Sequence, residues 1–114
     1  MENNLTSLDS AFHALADPTR RAVIAKLITG PAAVKDLAAP FDMGLPSFLK
    51  HVKVLEDSGL IGSDKVGRVR TCRLIPKRLA AAENWLSEQR IIWEGRTDRL
   101  AAYVESKHRK ENSK

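Results

Sequence analysis

Five cations are spaced so that they could do chemistry together: Lys50, Lys53, Lys65, Arg68 and Arg70. Lys50 and Lys53 are three residues apart, so a helix turning about 100° per residue sets them on one side with Pro46 and Asp57. The opposite side carries Leu45, Phe48, Val52 and Leu55 at helical spacing, an apolar stripe. An apolar back and a slim basic front fit the major groove of DNA, with small residues such as Ser47 allowing close approach. An ordinary surface helix with solvated lysines has the same pattern, so the neighbouring segments must decide. Lys65, Arg68 and Arg70 crowd the tip of a hairpin, where they could track a phosphate backbone or enter a minor groove. An edge hairpin charged against aggregation is the competing reading; its place directly after the basic helix favours the nucleic-acid one. His51, on the flank of that helix, is open between a bracing hydrogen bond and a DNA contact.

Several elements must hold these residues in place. Leu5, Leu8, Phe12 and Leu15 mark a first amphipathic helix. Asp17-Pro18 restarts the chain, Asp17 as a cap and Pro18 in the first turn of a second helix with Val23, Ile24, Leu27 and Ile28 inside. Arg20 and Arg21 lie at its start, where the macrodipole disfavours cations, so they require partners; carboxylates are preferred to phosphates. Gly30-Pro31 stops it. Val34, Leu37, Ala38 and Phe41 form a short third helix, closed near Pro40. Asp42-Met43-Gly44 is a tight turn, Pro46 starts the basic helix and Gly59 ends it. Together these make a helix-turn-helix. The period then alternates: Ile61–Lys65 and Val69–Ile75 read as two strands turning at Gly67, a wing. From Lys77 to about Lys107 helix formers dominate, with Gly95 a point of bending or interruption. That helix carries Trp85, Leu86, Ile91, Ile92, Trp93, Leu100 and Tyr103, more apolar surface than one small domain buries easily. A second copy of the chain is the natural cover, with Leu5, Leu8 and Phe12 of the first helix joining the seam; packing within one chain is the alternative.

The chain has 114 residues and a formal charge of +5, which favours a polyanionic partner, double-stranded DNA before others. Its one cysteine, Cys72, allows no internal disulfide and agrees with a cytoplasmic location. The N-terminus lacks the pattern of a signal peptide and no apolar run is long enough for a bilayer, so no membrane partner is expected. No Gly-rich phosphate loop, nucleophile elbow or paired helical histidines is found, which argues against an enzyme. The reading is a mainly α chain with a small β-hairpin. Residues 1–108 form a winged helix-turn-helix for DNA binding and dimerisation, with a basic disordered tail at 109–114.

The chain resembles the arsenic-repressor (ArsR-like) type of winged-helix bacterial transcription regulators over almost its whole length. The resemblance is carried by Leu15-Ala16-Asp17-Pro18-Thr19-Arg20-Arg21, Val34-Lys35-Asp36-Leu37-Ala38, Met43-Gly44-Leu45-Pro46-Ser47, Lys50-His51-Val52-Lys53-Val54-Leu55, Gly59-Leu60-Ile61 and Gly67-Arg68. Trp93-Glu94 with Arg96, Asp98, Arg99, Leu100 and Tyr103 looks like the subgroup without metal sites. The resemblance implies a homodimer that represses transcription by occupying a promoter and is released by a signal whose chemistry no residue set names. Leu49 stands where the family commonly has serine on the recognition helix; leucine there can only pack or touch a thymine methyl. Metal-sensing members use thiolate pairs or His and carboxylate sets, and neither is evident: Cys72 stands alone, His108 with Glu105 falls at the tail, and Glu94 with Asp98 has no nearby histidine. The expectation is therefore no metal and no cofactor. A metal-responsive repressor and a winged-helix protein-interaction module without DNA binding are the alternatives.

Overall fold

The computed structural model describes the backbone of residues 4–112 and the side chains of 7–96 and 99–107. The side chains of Leu5, Asp98 and His108, named above, lie outside the described residues. The element order is α1 Asn4–Leu15, α2 Pro18–Ile28, β1 Ala32–Ala33, α3 Val34–Ala38, α4 Leu45–Asp57, β2 Ile61–Val66, β3 Val69–Leu74 and α5 Pro76–Asn112. This is a winged helix-turn-helix, mainly α, with a small antiparallel sheet.

Local chemistry sets the boundaries. Asp17 caps α2 by accepting from the Arg20 N–H at 3.0 Å, and Pro18 fills the first turn. α4 ends in a Schellman motif: Leu60 N–H donates to Leu55 O, Gly59 N–H donates to Glu56 O, and Gly59 takes a φ of 78°. Gly67, at φ 62°, opens a two-residue turn between the paired Val66 and Val69; with no non-glycine residue at positive φ among the described residues, this is a type II′ hairpin turn. The strand order is β1-β3-β2. β1 was not foreseen: two alanines carry no alternating pattern, yet Ala32 and Ala33 pair with Cys72 and Thr71.

The core is formed by Ala11 and Ala14 of α1, Val23, Ile24 and Leu27 of α2, Val34 and Leu37 of α3, Phe48, Val52 and Leu55 of α4, then Leu60, Ile61, Cys72 and Ala82. Phe48 is fully buried and stacks on Phe41 at a centroid distance of 5.6 Å. The Cys72 thiol is pushed up by burial. Leu45 departs from the expected stripe. At the first position of α4, it lies a turn beyond the core and is 54% exposed.

The chain divides into a unit ending at Ala82 and a second formed by Glu83 onward. The described part of the second unit is the remainder of α5, which is helical through Gly95 and so not interrupted there, and α5 runs four residues into the stretch read as a tail. No helix among the described residues is long and apolar enough to cross a membrane.

Candidate nucleic-acid interface

α4 presents Pro46, Ser47, Lys50 and Lys53 to solvent, while Phe48, Val52 and Leu55 face the core. Gly44, the N-cap, has no side chain to bond the first turn. The first intrahelical bond runs from Phe48 N–H to Gly44 O, so the earlier N–H groups remain for water or an anion at the positive end of the helix dipole. Lys65 and Arg68 are exposed on the wing. They wall the same cleft as Leu45 and Leu49, so the start of α4 and the wing share one face.

The cations sort into two groups. Arg70 turns inward: its Nη2 is ion-paired with Glu56 Oε1 at the far end of α4, and its Nε donates to Ser63 Oγ at 3.1 Å. The structure thus places Arg70 as the tie between wing and helix rather than with the hairpin-tip cations. Arg73 reaches Asp64 at 3.0 Å across the hairpin. Lys53 is 3.7 Å from Asp57, with both side chains largely exposed, a pair of little energetic weight. Lys50, Lys65 and Arg68 form no ion pair with a described residue. A hairpin pattern shows which cations are near a tip, but it cannot show that Arg70 meets a carboxylate fourteen positions earlier.

A second cluster holds α4 from behind. Arg20 Nε donates to Ala14 O at 2.7 Å and Nη2 to His13 O at 3.2 Å, while Arg21 Nη1 donates to Leu15 O at 2.9 Å. Among the described residues the side chains of both arginines therefore donate to carbonyls at the end of α1, where a helix dipole welcomes cations, and the expected carboxylate acts on Arg20 only as the nearby charge of Asp17. Arg20 Nη1 also approaches His51 Nδ1 at 3.1 Å, and Asp17 Oδ2 lies 3.7 Å from the same nitrogen. Asp17 is held below its ordinary carboxylate pKa by the Arg20 N–H first, against a raising effect of burial, with His51 and Arg20 charges adding to the lowering. His51 is thereby placed as a brace between α2 and α4. Leu49 is half-buried against the core beside this face.

The residues expected in a dimer seam divide in the same way. Leu8 and Phe12 are half-buried against the core of their own chain. Trp85, Leu86, Ile92, Trp93, Leu100 and Tyr103 are between 42% and 66% exposed. Among the described residues no group of three or more His, Cys, Asp or Glu could hold a metal ion.

Comparison with known proteins agrees with this geometry. Residues 15–62 match the family described as a helix-turn-helix domain. The chain is 41% identical over 75 residues to the HTH-type transcriptional regulator Rv2034 of Mycobacterium tuberculosis, covering 66% of this chain and 70% of that one. It is 28% identical over 79 residues to the transcriptional repressor SdpR of Bacillus subtilis, covering 69% and 88%. The crystal structure of an ArsR family transcriptional regulator superposes with a TM-score of 0.76 at 54% identity, covering 82% of this chain and 97% of the other.

Proposed function

The chain belongs to the ArsR family of transcriptional regulators, and from that premise we propose that it is a sequence-specific DNA-binding repressor that acts as a homodimer. The observation that carries the reading is the sorting of cations. Those that build the fold are tied to carbonyls or carboxylates, while Lys50, Lys65 and Arg68 form no ion pair with a described residue on the face that bears the open start of α4. Pro46, Ser47, Leu49 and Lys50 enter a major groove, with Lys53 at its edge. Lys65 and Arg68 hold the wing to the backbone. Arg70 and His51 position these elements without touching DNA. Activity lies in occupancy of a promoter in the cytoplasm, not in bond-making.

The exposed stripe on α5 supplies the dimer. Leu86, Trp93 and Leu100 recur every seven residues, the spacing of a helix-helix seam, and Trp85 and Ile92 flank it with the same interval. Two copies then present two recognition helices to one face of a duplex, one helical turn or a multiple apart.

Footprinting on the DNA upstream of the chain's own coding sequence tests this. Two protected patches centred about 10 base pairs, or a multiple, apart are expected, with affinity falling steeply as salt rises. A single patch, or binding indifferent to salt, would overturn the reading.

A further inference from the structure

The face that carries the wing cations also holds an open cleft of about 1160 Å³. Phe41 and Met43 from the turn before α4, Leu45 and Leu49 from α4 and Val69 from β3 give it an apolar wall. Leu45 and Val69 are each 54% exposed, so this wall is wet in the free protein. Lys35, Lys65, Arg68 and Arg70 also line the cleft, against one carboxylate, Asp36. Glu56 answers Arg70, which leaves the balance cationic at the wing side. A duplex suits only part of this lining. Its phosphates can meet Lys65 and Arg68 and a thymine methyl can touch Leu45, but it has no apolar body to lie along the exposed Val69 and the partly buried Met43 beside it.

We propose that this cleft binds a small amphipathic carboxylate, an alkyl or aryl acid that fills part of it, selected by the apolar wall beside the wing cations. The apolar body lies along Met43, Leu49 and Val69, and the carboxylate meets Lys65 and Arg68. Bound there, it occupies the cations that would hold the wing to DNA, so binding of the acid and of the operator are mutually exclusive. The exclusion rests on the DNA-binding reading above; the binding of the acid does not.

Met43 is a convenient reporter, because the chain has only two methionines and the other is Met1. The experiment is a titration of methyl-labelled protein with decanoate below its micelle concentration, beside decanol and decyltrimethylammonium. A saturable shift of the Met43 methyl is expected with decanoate. Lys65→Gln with Arg68→Gln should weaken decanoate about tenfold or more, the loss expected for charge-assisted bonds, and leave decanol unchanged. Leu49→Gln should weaken both. Both wing cations are exposed, and the two ends of the turn stay paired, so the double variant keeps its fold. In a parallel titration decanoate should release labelled operator DNA from the wild-type protein over the same concentration range that saturates Met43. No saturable Met43 shift, or equal affinity for all three amphiphiles, overturns the site. A saturated cleft with DNA still bound overturns the exclusion. Saturable decanoate binding by a protein that never binds DNA would leave the site standing and remove the proposed function instead.

Discussion

The unit ending at Ala82 and the helix beyond it treat apolar side chains in opposite ways. Every buried apolar residue of the core lies at or before Ala82, and the charged residues there are tied to carbonyls and carboxylates wherever they hold elements together. Of the twelve large apolar side chains exposed among the described residues, eight lie past Ala82 on α5. One unit closes its own core. The other displays an exposed apolar stripe, whose burial would be worth about 25 cal/mol for each Å² removed from water. On the proposed function the difference separates two jobs: the first unit would fix which side chains reach DNA, and the second how many copies arrive together.

The largest effect is expected where that difference is attacked directly. Trp93→Glu places a charge in the middle of the α5 stripe and should turn a dimer into a monomer by sedimentation. The unit ending at Ala82 should keep its fold, visible in an unchanged pattern of core methyl signals. Operator affinity should fall by about 100-fold to 10,000-fold as the second recognition helix loses its tether. A dimer that survives the substitution would move the seam off α5.

Within the first unit, the two classes of wing cation should respond differently. Arg70→Gln leaves Glu56 half-buried without its guanidinium and frees the wing from α4. A stability loss of about 1–3 kcal/mol is expected in chemical denaturation, since a charge-assisted bond is lost and a carboxylate is stranded. Glu56→Gln should cost a similar amount, and the double variant less than the sum of the two. Additive losses would show that the pair is not coupled. Arg68→Gln should instead leave the denaturation midpoint unchanged. It should weaken DNA binding modestly and reduce the slope of log affinity against log salt by about 1.8 for the dimer, about 0.9 for the one phosphate contact removed in each of its two protomers. An unaltered slope would take Arg68 off the DNA.

The distinction between those two arginines was illegible in the sequence, and the reason is physical. Local signals work where one residue acts on its own backbone: Asp17-Pro18, Gly59 and Gly67 each set a boundary that the structure keeps. Helical spacing found the buried face of α4 but misplaced Leu45, because periodicity does not say that the first residue of a helix projects past the core. The bonds of Arg70 to Glu56 and of Arg20 to the end of α1 join segments whose approach only the tertiary fold decides. β1 is the extreme case, since its two alanines become a strand through pairing with β3 alone. The cleft beside the wing was equally hidden, being assembled from α3, the following turn, α4 and the hairpin.

The smallest effect belongs to Asp17, and it sharpens the comparison because it touches only the first unit. Asp17→Ala removes the α2 cap and one charge beside His51, and should cost about 1 kcal/mol near neutral pH. Since the Arg20 N–H holds the folded Asp17 pKa below its ordinary value, the unfolded chain takes up the proton first as the solution is acidified. The stabilisation is therefore complete above the unfolded value of about 3.9 and is lost as pH falls through the lower folded value. Urea midpoints of wild type and Asp17→Ala, compared at one protein concentration from neutral pH down to strong acid, should be separated at the neutral end and converge in that window. Sedimentation over the same range should show no dependence on Asp17, because the α5 stripe is apolar and the cap lies in the other unit. A midpoint difference that stays constant into strong acid would mean the cap acts through shape and not through its charge.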